Sequence, residues 1–221
     1  MLKAVVTHPF MLAYLDQISS VGPASQVGKR RGRGLNENLA REVLELHTLG
    51  VGGAYGQTDV RQLAELMTGL TYSPRNGFTF EARMSEPGAE TILGKRYGGE
   101  HAHLGDILDA MEDLAAHPDT ARHLARKLAV NLVSDNPDPA LVDHMAAAYM
   151  ATDGDLSAVY TAMLEHRSAW VPLGEKAKKP FDFIVSALLA LGLSGRELVD
   201  MEVKAWRQLL FRPLVTMGQP K

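Results

Sequence analysis

Between Leu35 and Gly56 the chain reads Leu-Asn-Glu-Asn-Leu-Ala-Arg-Glu-Val-Leu-Glu-Leu-His-Thr-Leu-Gly-Val-Gly-Gly-Ala-Tyr-Gly, a short amphipathic helix with an abrupt glycine-rich stop. No other stretch restricts the fold as tightly. Leu39, Val43 and Leu46 recur at i, i+4 and i+7 with Ala40 and Leu44 beside them, so one stripe is apolar and needs a core to pack against. Asn36 or Asn38 can cap the N-terminus, its side-chain oxygen accepting from an otherwise unpaired backbone N–H. At about 100° per residue, Arg41, Glu42 and Glu45 project off the stripe, whereas His47 falls on it between the Val43 and Ala40 directions. Arg41 stands four residues from both Glu37 and Glu45, a ladder of roughly 0.2–0.5 kcal/mol per rung. With Gly50 as a left-handed C′ residue, Leu46 and Val51 become the apolar pair of a Schellman ending.

Asn36, Glu37, Asn38, Arg41, Glu42, Glu45 and His47 are the densest set of amides, carboxylates, arginine and histidine in the chain, and form its candidate polar cluster. A plainer account competes. The carboxylates suit a solvated face with an ion ladder. His47 suits a core position at a helix C-terminus, where the negative dipole end favours its cation. Glu42, Glu45 and His47 do not share one helix face, so they could ligate an ion only with help from another segment.

The remaining pattern is helical. Pro9–Ile18 opens with proline at N1, where its missing N–H costs nothing, and carries Leu12, Leu15 and Ile18 on one side. Ser19–Gly34 reads as a loop containing the basic run Lys29–Arg33. Thr58 is expected to cap a helix through Leu70, with Val60, Leu63, Ala64, Met67 and Leu70 inside. Helices follow at Leu104–Ala116, Asp119–Val133 (Ala121, Leu124, Leu128 and Leu132 inside), Ala140–Met150, Leu156–His166, Phe181–Leu191 and Leu198–Phe211. Ser194-Gly-Arg-Glu197 has capping-box spacing ahead of the last, which Pro213 is expected to end. Residues 71–100 break the period: Phe78, Phe80, Ala82 and Met84 alternate and Thr91–Leu93 follows Pro87-Gly88, so a hairpin or extended lobe is expected there. A helix-free stretch of that length in a helical chain is often functional. The expected fold is therefore mainly all-α, a multi-helix antiparallel bundle in a single domain over 1–221, with a small β-hairpin insertion near 71–100.

Composition removes several function classes. The 221 residues can bury a substantial core without a disulfide or metal staple. The net charge of −3 argues against a general nucleic-acid binder, and the Lys29–Arg33 run has no interleaved aromatics for base stacking. Zero cysteines exclude disulfides, thiolate metal sites and cysteine nucleophiles. No segment approaches the ~18 apolar residues of a membrane span. The first residues do not read as a secretory signal, since Thr7-His8-Pro9 breaks the short apolar run.

Motifs for chemistry are incomplete. His101-Ala-His103 could bind a divalent ion with Glu100 or Asp106 but sits in a polar stretch. Gly50-Val-Gly-Gly53-Ala-Tyr-Gly56 follows a helix rather than a strand, which argues against a nucleotide loop. Asp153-Gly-Asp155 is too short for a calcium loop and reads as a turn and cap. No cofactor is expected.

The run Asn36–Val51 resembles the bacterial family called domain of unknown function 1800. Further matching blocks are His8–Asp16, Asp59-Val60, Thr91-Ile-Leu-Gly94, His117-Pro118 with Thr120–Arg122, Arg126-Lys127-Leu128, and Lys179-Pro180 with Val185–Leu188, so the resemblance spans nearly the whole chain. Where members read His-(Asp or Glu)-x-Gly-x-Lys, this chain has Ser85-Glu86-Pro87-Gly88-Ala89-Glu90; where they often carry an aspartate before the glycine-tyrosine loop, it has Gly52. Members are usually longer at both ends, so the resemblance implies the C-terminal part of such a protein, or a shortened one. It further implies a helical bacterial protein, often exported or periplasmic, whose genes often neighbour a sulfatase-like exported family. It implies no reaction. Two readings follow: a helical binding or scaffolding module with a protein partner, or a metal-assisted hydrolase with its site between the 36–47 helix and the 71–100 lobe.

Overall fold

The computed structural model describes residues 1–32, 34–73, 75, 77–171 and 176–219. The chain divides into two compact units, Met1–Val171 and Pro172–Lys221. The first begins with α1 (Leu2–Val6), α2 (Pro9–Tyr14), α3 (Gln26–Arg31), α4 (Asn38–Glu42) and α5 (Gln57–Leu66). Two antiparallel hairpins follow, β1 (Leu70–Ser73) with β2 (Gly77–Phe80) and β3 (Gly88–Ile92) with β4 (Lys95–Gly99). Helices then resume as α6 (Leu104–Ala115), α7 (Pro118–Leu132), α8 (Pro139–Ala151) and α9 (Leu156–Glu165). The second unit holds α10 (Pro180–Ala190), α11 (Gly195–Val199), α12 (Val203–Trp206) and α13 (Arg212–Thr216), the last two joined by a π-helical turn over Arg207–Phe211. The fold is mainly α with a small hairpin insertion, as the sequence pattern predicts.

The first unit has two cores. One gathers Leu39, Val43 and Leu44 of the central helix with Leu63, Met67, Leu70, Ile107 and Met111. At ~1.5–3 kcal/mol for each fully buried large side chain, this is the main stabilising mass of the molecule. The other packs Leu141, Met145 and Val159 against Ala121, Ala125 and Ala129 of α7. Here the expected stripe is corrected: the alanines face inward, Leu124 and Leu128 sit at the margin, and Leu132 is exposed. Short side chains on the inward face suit a helix packed closely on its neighbour.

Local chemistry explains other departures. The loop expected over Ser19–Gly34 contains α3, because Ser25 Oγ accepts from Gly28 N at 3.0 Å and Gly32, at φ +60°, ends the turn. Lys29 and Arg30 are exposed on it; Arg33 lies outside the described residues. Helix α2 stops at Tyr14 because Asp16 adopts φ 54°. Gln17 then takes the buried place and donates to Met67 O at 2.9 Å, while Ile18 turns outward. Helix α5 is capped not by Thr58 but by Asp59, whose Oδ2 accepts from Gly56 N at 2.9 Å. The last helical stretch starts anew at Val203 and runs through Pro213, which falls within the first turn of α13 after the wide π turn. The Ser194–Glu197 capping box forms as expected. Part of the lysine-bearing loop before α10, residues 172–175, lies outside the described residues.

Candidate functional site

After Glu42 the central helix widens into a π-helical turn, Val43–His47. Thr48 Oγ1 donates to Val43 O at 2.7 Å and Gly50 N to Leu44 O at 3.0 Å, so the helix closes with longer-range bonds than an α-helix uses. The extra residue rotates everything after it. Leu46 leaves the apolar stripe and is 45% exposed, Val51 is 81% exposed, and the expected Schellman pair does not form, although Gly50 is left-handed at φ +86°. Such one-turn π insertions are frequent at functional sites.

The freed Leu46 carbonyl is claimed by α7. Lys127 Nζ donates to it at 3.2 Å, and His123 Nε2 lies 3.3 Å away in the tautomer that donates. Gly50 makes this approach possible: a Cβ there would sit 2.4 Å from His123 Nδ1. The glycine-rich segment is thus a helix stop docked on α7, secured further by Ala54 N donating to Asp119 Oδ2 at 2.9 Å.

The predicted polar cluster disperses. Asn36 is the cap, its Oδ1 accepting from Asn38 N at 2.9 Å while its Nδ2 donates to Leu15 O and Asp16 O at 3.2 and 3.3 Å. The Asn38 side chain is exposed. Arg41 reaches Glu37 at 3.3 Å and Gln57 at 3.1 Å, and Gln57 also donates to Glu37 at 2.8 Å. The second rung, Arg41 to Glu45, is absent from the ion pairs among the described residues; Glu45 instead lies near Tyr55, whose ionisation burial disfavours first and this carboxylate second. Glu42 is half-buried and acts electrostatically on His47.

Of the seven, His47 alone lines a cavity of about 420 Å³. Its walls come from α1 (Leu2, Val5), the π turn (Leu46 to Thr48), α7 (Thr120, Leu124, Lys127) and the α8–α9 corner (Tyr149, Asp153, Leu156), so it lies at the seam of the two cores. Residues 71–100 do not contribute to its lining. Most polar groups here are already engaged: Tyr149 Oη donates to Ala115 O at 2.9 Å and Thr120 Oγ1 to Leu114 O at 2.6 Å. His47 Nδ1 is instead buried without a hydrogen-bond partner, and Lys127, beyond its bond to Leu46 O, makes no ion pair among the described residues. Burial pushes the His47 pKa down, Lys127 adds to this and Glu42 opposes it, so the ring is neutral at neutral pH. With Nδ1 enclosed, the less costly tautomer leaves a lone pair there and puts the proton on Nε2, since orphaned buried N–H groups are the rarer kind.

Lys127 belongs to a block that carries the family resemblance, which was its only signal in the sequence. Asp153-Gly154-Asp155 is the turn and cap it reads as, Asp155 Oδ1 accepting from Ser157 N at 2.8 Å. Gly154, at φ +83°, passes under Tyr149, whose ring a Cβ would approach to 3.2 Å. His101 and His103 are both exposed. Among the described residues no three His, Asp or Glu side chains are placed to hold a metal ion, and no helix is long and apolar enough to cross a membrane.

The fold is that of a mainly helical protein with a seam cavity beside a π-helical turn. The family model described as "Protein of unknown function (DUF1800)" matches residues 1–221, and the chain belongs to that family. No curated protein and no solved structure matches it.

Proposed function

We propose that the protein is a helical binding module whose ligand site is the His47 cavity, and that the ligand is a small amphiphilic monoanion. The observation that carries this is the pairing, in one mostly apolar cavity, of the half-buried His47 imidazole with Lys127, which makes no ion pair among the described residues. Apolar pockets with a few convergent polar groups are the usual form of ligand sites. Lys127 keeps N–H donors beyond the one given to Leu46 O, and His47 offers Nε2. Asp153 on the opposite corner disfavours a second negative charge on the ligand.

Octanoate, phenylacetate and benzoate are suitable probes, with the His47 imidazole followed by NMR. A saturable shift at His47, but not at exposed His101, is expected. Lys127→Met should weaken binding about tenfold, the equivalent of ~1.4 kcal/mol. No saturable shift with any of the three, or equal affinity in Lys127→Met, contradicts the proposal.

A further inference from the structure

The second hairpin is held on α5 by a contact that ordinary charge pairing does not explain. Thr91 N donates to Gln62 Oε1 at 2.9 Å and Leu93 N to Asp59 Oδ1 at 2.8 Å, so β3 lies along α5 by backbone donors. Just ahead of them on β3, Glu90 points inward and is only 7% exposed. Gln62, which takes the Thr91 N–H, also donates to Glu65, so a second carboxyl stands on the face of α5 that β3 meets, and Glu86 adds a third negative charge. Glu90 itself makes no ion pair among the described residues.

The cations nearby are turned elsewhere. On α5, Arg61 Nε donates to Glu65 Oε1 at 3.0 Å from the exposed side. On β4, Lys95 pairs with Asp113, Arg96 is exposed, and Tyr97, directly across from Glu90, donates to Asp113 at 2.7 Å. In the segment before β3, Glu86 Oε2 accepts from Ala24 N at 2.9 Å and the Glu86 N–H is held by Thr68 Oγ1 at 2.7 Å. Glu65 also accepts from Gln62 Nε2 at 2.7 Å.

Two carboxyl groups can hydrogen-bond to each other only if one keeps its proton, because an ionised carboxylate has no donor. We infer that Glu90 and Glu65 share one proton and act as a pH-sensitive latch, holding the β3–β4 hairpin on α5 in mildly acidic medium and loosening it when the proton is lost. Burial first, then the charges of Glu65 and Glu86, push the Glu90 pKa up from its ordinary value to about 7. The folded value is thus above the unfolded one, so this stabilisation is complete below about pH 4.5 and is lost as pH rises through about 7. The latch is distinct from the His47 cavity, to whose lining residues 71–100 do not contribute.

Amide hydrogen exchange of residues 88–99, corrected for the intrinsic pH dependence of exchange, tests it in the full chain. Protection of the hairpin relative to α7 and α8 should fall about 10- to 100-fold between pH 5.5 and 8.5. Glu90→Gln, which carries a permanent donor, should hold protection at its acid level across that range. Glu90→Lys should do the same by pairing with Glu65 directly. In the wild type, Glu90 labelled at its carboxyl carbon should titrate by NMR near pH 7. A hairpin whose protection tracks α7 and α8 at both pH values, a Glu90 carboxyl titrating near 4.5, or a Glu90→Gln variant that keeps the pH dependence overturns the latch.

Discussion

The two units of this chain treat apolar residues in opposite ways. In Met1–Val171 the helices turn Leu39, Val43, Leu44, Leu63, Met67 and Met111 into a closed core with essentially no exposure. In the second unit Ile184 is the only buried large apolar side chain among the described residues. Phe181, Phe183, Leu189, Leu191, Val199 and Val203 are all more than half exposed. The first unit carries its own stabilising mass. The second forms helices by local devices, the Ser194–Glu197 capping box and the Trp206–Phe211 ring contact, without a comparable core. Amphipathic pattern alone therefore does not tell a self-sufficient unit from one whose apolar faces are left open.

Several substitutions sharpen or break this contrast. The largest effect is expected from Leu44→Ala, which should lower stability by ~2–5 kcal/mol in urea unfolding, because it opens a cavity in a closed core. Leu191→Ala should stay within about 0.5 kcal/mol; a loss as large as that of Leu44→Ala would break the comparison, since Leu191 would then be covered in solution. Gly50→Ala comes next, at ~2–3 kcal/mol. It forces a Cβ both into a left-handed conformation and against the His123 ring, and should shift the His123 resonances as well. Asn36→Ala should cost ~1–2 kcal/mol, since it removes a helix cap and two ties to the α2 end. The smallest effect is expected for Arg122→Ala, whose exposed pair with Asp143 at 2.8 Å is worth ~0–1 kcal/mol.

What was legible in the sequence was periodic or local. The apolar stripe of α5, the helix starts at His8-Pro9 and His117-Pro118, the Asp155 cap and the alternating Phe78 and Phe80 all state their structure within a few residues. His8 Nδ1 accepts from Phe10 N at 3.3 Å and His117 Nδ1 from Asp119 N at 3.1 Å, so both histidines are caps as well as markers. The π turn was not legible, because one extra residue leaves composition and the first half of the stripe untouched while rotating Leu46 outward and His47 to the cavity. The alanine face of α7 was hidden by the leucines beside it, since hydropathy ranks Leu124 and Leu128 above Ala125 and Ala129. Glu65 and Glu90 are 25 positions apart, on a helix and a strand, and nothing in either segment signals that they meet. Within the candidate cluster, proximity in sequence suggested one site; the turn separates it into a cap, an ion pair and a cavity histidine.

The proposed ligand site is the His47 cavity, at the seam of the two cores. Isothermal titration of octanoate into the wild-type protein and into Leu46→Trp tests it directly. Leu46 is half exposed on the cavity wall, so the indole can fill the space without disturbing either core. Saturable one-site binding to the wild type that is lost in Leu46→Trp, with unchanged unfolding behaviour, is the predicted result. Equal binding to both proteins, or none to the wild type, would contradict it.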